Sequence, residues 1–126
     1  MIKVEDVYRN IKNRDGEKTI CIGKGVIATS GFNALDIIEV CPAAIKLFKM
    51  CGKDESEVGY SWGDGLFAIT SDESNGRFYN CTDKQHQTNA KYSCDKDNNA
   101  VVIRATRHIS AGSEIVINYS ERGEDE

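Results

Sequence analysis

The sequence predicts a mainly β domain with short helical turns, built from short strands joined by polar connections. Three observations carry this expectation. Runs rich in β-branched and aromatic residues recur along the chain, the residue types that suit a pleated, half-buried surface. Eleven glycines stand against a single proline, Pro42, as in a fold rich in turns. The strand–helix alternation of a doubly wound parallel sheet is not visible, nor is a glycine-rich loop between a strand and a helix.

The elements follow in order. Ile2 to Asn13 mixes apolar and charged residues and leads to a turn at Asp15-Gly16. Thr19 to Ile22 reads as a strand, broken by Gly23-Lys24-Gly25 and resumed over Val26 to Thr29. Leu35 to Val40 is a β-branched run and a further strand. Over Pro42 to Met50, a proline at the start and Gly52 beyond the end favour a short helix. Lys53 to Glu57 is a polar connection. Tyr60 to Trp62 and Leu66 to Ile69 are strands about a turn at Gly63-Asp64-Gly65. Ser71 to Gly76 and Asp83 to Thr88 are polar loops. Lys91 to Cys94 and Ala100 to Thr106 are strands joined at Asp95 to Asn99. Ser110-Ala111-Gly112 turns the chain into a last strand, Glu114 to Tyr119.

At 126 residues the chain is read as one domain, with a core at about 19–120 and an acidic tail at 121–126. No apolar run is long enough to cross a membrane. The N-terminus lacks a signal-peptide pattern, which places the protein inside a cell, in cytoplasm or nucleus (of a host, if viral). The net charge of −4 argues against a nucleic-acid backbone as ligand and suits a basic, Lys-containing partner; the tail also suits simple solvation. Five cysteines without a C-x-x-C pair read as free thiols in a reducing compartment, with no metal site expected. His86 reads as a solvated loop residue.

Two segments in the second half carry the most specific signal. One is Arg77-Phe78-Tyr79-Asn80-Cys81-Thr82, followed by Asn89-Ala90; the other is Ala111-Gly112-Ser113-Glu114-Ile115-Val116-Ile117-Asn118-Tyr119. Together they resemble the SET-domain family of protein-lysine methyltransferases, whose usual text is close to R-F-x-N-H-S-x-x-P-N-A and A-G-E-E-[IL]-x-[IF]-x-Y. Upstream, Gly23-x-Gly25-Val26-x-Ala28 and Asp36-x-Ile38-Glu39 are similar to the family's N-terminal G-x-G-V-F-A and G-x-x-[IL]-x-E text. Alone, that glycine pair would read as a turn or bulge between strands.

The resemblance implies several small sheets with a knot-like C-terminal threading, the last strand running past the Asn80 segment. It implies S-adenosylmethionine (SAM) as cofactor, held at Gly23, Lys24, Gly25, Val26, Arg77, Phe78, Asn80 and Cys81. Tyr119 would be the catalytic residue. Tyr60 and Trp62 would line the lysine pocket, although both also suit a core. The chain departs from the pattern where Cys81-Thr82 replaces His-Ser, and where Asn80 to Asn89 spans nine positions rather than six. It resembles minimal viral or bacterial members that lack zinc segments, in which a homodimer partner or the substrate would close the lysine channel. The implied function is SAM-dependent methylation of lysine in a basic protein or peptide. The departures favour as alternative a catalytically degenerate SET-like module that binds protein, and a structural or assembly protein is a third reading.

Overall fold

This computed structural model describes residues 1–14, 16–82 and 84–118 of the chain. Two sheets make up the fold. β1 (Ile2–Asn13) and β2 (Gly16–Ala28) form an antiparallel hairpin, in register from Ile2 opposite Ala28 to Asn13 opposite Gly16. Gly23-Lys24-Gly25, expected to break the strand, instead lies inside β2. The irregularity shrinks to a bulge opposite Val7 and Tyr8, which Gly23 accommodates at φ 118°.

The second sheet has seven strands in the order β4-β5-β3-β8-β7-β9-β6. They are β3 (Ile37–Leu47), β4 (Tyr60–Gly63), β5 (Leu66–Thr70), β6 (Asn80–Thr82), β7 (Ala90–Asp95), β8 (Ala100–Ala105) and β9 (Val116–Asn118). Its inner pairs are antiparallel, but β9 runs parallel to both neighbours. The last described strand is therefore threaded between β7 and β6, as the family resemblance implies.

Two local expectations are corrected. The helix over Pro42 to Met50 is absent: β3 continues to Leu47, and only Phe48–Met50 forms a single 3-10 turn. Pro42 sits where β3 changes partner. Residues before it pair with β8, and from Ala43 onward they pair with β5, so its missing N–H falls at the hand-over between ladders. The polar connection Lys53 to Glu57 is instead helical, α1 (Lys53–Val58). Glu55 accepts the Gly52 N–H at 3.1 Å, and Asp54 and Glu55 lie in the first turn, where acidic side chains favour a helix start. Lys46 ties this helix to β3 through Glu55 at 2.8 Å.

The core joins both sheets. Val26 from the hairpin packs with Cys41, Tyr92, Val101, Ile103, Ile109, Ile115 and Ile117, all fully buried. Burial and the nearby Glu39 carboxylate push the Cys41 thiol up from 9.0 to about 12. Burial and the same carboxylate also raise the phenol of Tyr79. Both groups hold their proton more tightly when folded, so their stabilisation is complete below about pH 9 and is lost as pH climbs toward 12. Thermal melts across that range should show stability falling by about 1.4 kcal/mol per pH unit for each group that has titrated in the unfolded chain. Cys41→Ala with Tyr79→Phe should flatten the slope; an unchanged slope would refute the assignment.

Candidate active site

The segment entering β6 is fixed from below before it reaches the site. Glu39 on β3 accepts the Tyr79 hydroxyl at 2.8 Å with one oxygen and the Asn75 backbone N–H at 3.0 Å with the other. Tyr60 on β4 donates its hydroxyl to the Gly76 carbonyl at 2.6 Å, and its ring meets Tyr92 edge-on at 4.9 Å. Gly76 is tightly enclosed: a Cβ there would lie 2.5 Å from Thr70 Oγ1. The segment 75–79 is thus clamped on both sides, and Asn80 emerges from it at a fixed place.

Asn80 is the junction of the site. Its Nδ2 donates to the Lys24 carbonyl at 3.2 Å and to Glu114 Oε2 at 2.6 Å, so one amide joins the glycine segment of β2 to the turn before β9. Gly25 makes the approach feasible, because an added Cβ would lie 2.6 Å from Glu114 Oε2 and 3.0 Å from Asn80 Nδ2. Asn89 seals the other side: its Nδ2 donates to the Glu114 carbonyl at 2.9 Å, and its Oδ1 accepts the Val116 N–H at 2.8 Å. The β6–β9 pairing then sets Asn80 opposite Val116 and Thr82 opposite Asn118.

A cleft of about 480 Å³ opens beside this junction, lined by Val58, Tyr60, Arg77, Tyr79, Asn80 and Cys81 among others. A smaller cavity of about 110 Å³ shares Asn80 and Cys81 and adds Thr82, Gln87 and Glu114. Tyr60, Arg77, Asn80 and Cys81, all singled out in the sequence, come together on the cleft wall. Arg77 is exposed there, 3.6 Å from Asp72. Lys24 and Gly25 adjoin the wall through Asn80, and Gly23 lies just before them.

The side chains of Val26, Phe78 and Trp62 lie in or against the core. Val26 is fully buried, and its carbonyl accepts the Ile115 N–H. Phe78 packs against the core. Trp62 is buried beneath Lys96, whose Nζ lies 5.0 Å from the ring centroid and donates to the Trp62 carbonyl. Tyr119 lies outside the described residues. The inserted loop carries a 3-10 turn, Gln85–Gln87, and is pinned by Arg107, whose guanidinium donates to the His86 and Thr88 carbonyls.

Sequence alone gives no individual role to Glu114, Glu39, Tyr79, Asn89 or Arg107. The first four fall within or beside the recognised motifs, so proximity to those motifs is the available signal. Arg107 carries none.

Comparison with known proteins agrees with this fold. The SET domain family model matches residues 23–120. Comparison with curated protein sequences finds no match. Among solved structures, a candidate histone methyltransferase of Plasmodium falciparum superposes with a TM-score of 0.64 at 24% identity, covering 91% of this chain and 94% of that one. The methyltransferase domain of human PR domain-containing protein 2 gives 0.57 at 15% identity, covering 87% of this chain and 74% of that one. ATXR5, in complex with histone H3.1 mono-methylated on an arginine, gives 0.59 at 14% identity, covering 90% of this chain and 56% of that one. With its glycine segment and the turn before the threaded final strand both bonded to Asn80, and a family match over most of its length, this chain belongs to the SET-domain family.

Proposed function

We propose that the chain is a SAM-dependent protein-lysine N-methyltransferase acting on a basic protein or peptide. The observation that carries this reading is the Asn80 junction, where three separate motif segments meet at one side chain that itself stands on the wall of a cleft. The cleft fits the cofactor. Its volume of about 480 Å³ falls within the range of small-molecule sites, and its wall offers an aromatic ring, a guanidinium for a carboxylate and a carboxamide. When bound, the cofactor would supply a methyl group carried on a sulfonium, for transfer to a neutral lysine nitrogen.

The residues of the chain align and shield. Arg77 and Asn80 hold polar groups of the cofactor, and Tyr60 closes one wall. Tyr119, following β9 in the chain, orients the neutral amine through its phenol oxygen, so that the contribution is near-attack alignment rather than strong base chemistry. The acidic net charge of −4 favours approach of a Lys-rich partner. That a structure with this fold was solved with a histone H3.1 bound supports a protein or peptide as substrate.

Calorimetry with SAM and a methyl-transfer assay test the proposal. Wild type should bind the cofactor, and Tyr119→Phe should lower turnover about tenfold or more with affinity nearly unchanged. The absence of SAM binding at millimolar cofactor would overturn the enzyme reading. A second reading, a SET-fold binding module without catalysis, is favoured by Cys81, which stands where the family pattern carries histidine. A gain of SAM affinity in Cys81→His/Thr82→Ser would mark the native site as degenerate.

A further inference from the structure

The far half of the β1–β2 hairpin leaves the body as an arm. Hydrogen bonds at Lys24, Val26 and Ala28 tie the hairpin down on one side of the bulge at Val7 and Tyr8. On the other side Tyr8 is 59% and Ile22 45% exposed, and Arg14, Cys21 and residues 16–19 are exposed as well. From Tyr8 to Arg14 the arm reaches about 20 Å at the usual strand rise. The SET domain match begins at residue 23, so the arm lies outside it.

β1 and β2 make a sheet of their own, so among the described residues each strand has one strand neighbour along the arm and one open edge. A two-stranded ribbon is marginal in water, and an open edge is a template for a further strand. The two edges differ in charge. Along the arm β1 carries Arg9 and Lys12, two like charges of the kind that blunt an edge. β2 carries Glu17 and Lys18, which cancel, and then the uncharged run Thr19-Ile20-Cys21-Ile22, rich in β-branched residues. Two β1 edges would repel each other; two β2 edges would not.

We propose that the β2 edge of the arm pairs antiparallel with the same edge of a second copy, joining two ribbons into a four-stranded sheet about a two-fold axis. A register centred on Thr19 sets that residue opposite its own counterpart, Lys18 opposite Ile20 and Glu17 opposite Cys21. No like charges then face each other, and a threonine pair is a favourable cross-strand pairing. An interface this short is of the weak, concentration-dependent kind. It does not depend on cofactor binding.

Sedimentation from micromolar to millimolar protein tests the pairing. Wild type should form dimers, and Thr19→Lys/Cys21→Lys should raise the dissociation constant about tenfold or more. Asn10→Lys, opposite Thr19 on β1, should leave it within about twofold. Melting curves identify any loss that comes from unfolding. A covalent trap checks the register: Thr19→Cys in a Cys21→Ser/Cys51→Ser/Cys81→Ser background should cross-link two copies under mild oxidation, far faster than Asn10→Cys in the same background. A wild type that stays monomeric throughout, or equal effects of the β1 and β2 substitutions, would overturn the proposal. A monomer that binds a duplex oligonucleotide through Arg9 and Lys12 would also overturn it, and assign the arm to nucleic acid instead.

Discussion

Gly25→Ala should destabilise the protein by about 1–3 kcal/mol and dismantle the Asn80 junction. The new methyl would lie 2.5 Å from Val7 Cγ2, 2.6 Å from Glu114 Oε2 and 3.0 Å from Asn80 Nδ2. Those distances leave no room, and the neighbours differ in how they can yield. The Val7 methyl can shift by a small rotation, although Val7 is itself buried in the middle of β1. Glu114 and Asn80 are bonded to each other, so moving either breaks the 2.6 Å contact. The expected result is a lower melting temperature, loss of the downfield NMR shift that the Glu114 carboxylate gives an Asn80 side-chain amide proton, and SAM affinity reduced about tenfold or more. Gly23→Ala is the control. Gly23 has φ 118°, and a Cβ added there would meet nothing within 4 Å, so that substitution strains the backbone without pressing on the junction. If both variants melt alike and both keep the amide signal, steric exclusion at Gly25 is not what holds the site together.

Ile117→Ala should cost about 2–5 kcal/mol, a large part of the total stability of a domain this size. Ile117 is fully buried, at the middle of β9, opposite Cys81 on β6 and Ala90 on β7. The cavity would open beneath the strand that holds both neighbours. Ile103→Ala on β8 is the comparison: Ile103 is equally buried but lies opposite Tyr92 and Glu39, away from the β6–β9 pairing. Urea unfolding should give similar losses for the two variants. Only Ile117→Ala should also weaken cofactor binding under conditions where both remain folded. Equal binding by the two would separate the β9 core from the site.

Much of the fold is legible in the sequence because the local signals agree with the tertiary outcome. Leu66 to Ile69 and Ala100 to Thr106 carry β-forming residues, and Gly63-Asp64-Gly65 supplies the positive φ angles its turn needs, with Asp64 at 55°. Pro42 misleads because its first-turn preference for helices says nothing of where β3 changes partner. The missing N–H is harmless at that hand-over, and partner exchange is a long-range event that no window around Pro42 records. The helix α1 escapes for the opposite reason: the acidic first turn after Gly52 is a local signal, outweighed because the segment is largely polar and reads as a connection.

The site shows the same division. Asn80, Arg77 and the glycine pair stand out through motif spacing; Asn80 and Arg77 line the cleft, and the glycine segment is bonded to Asn80. What ties them together does not stand out. Glu114 is one acidic residue among many until the fold brings it 2.6 Å from Asn80, across 34 positions of chain. Trp62 shows the limit in reverse: an aromatic near a motif suits a pocket or a core, and the structure seats it in the core under Lys96.

The threading of β9 sets an order of events for the growing chain. Among the described residues β6 occupies the sheet edge and has β9 as its only strand neighbour, so Asn80 has no strand to pair with until residues 116–118 have been made and have slid between β7 and β6. The Asn80–Glu114 junction and the β6–β9 pairing are then completed late, by contacts between distant parts of the chain, which is the slow kind of step in folding. A bound ligand that bridges this late-formed seam would act chiefly as a brake on its reopening, lengthening the lifetime of the native state more than it speeds the approach to it.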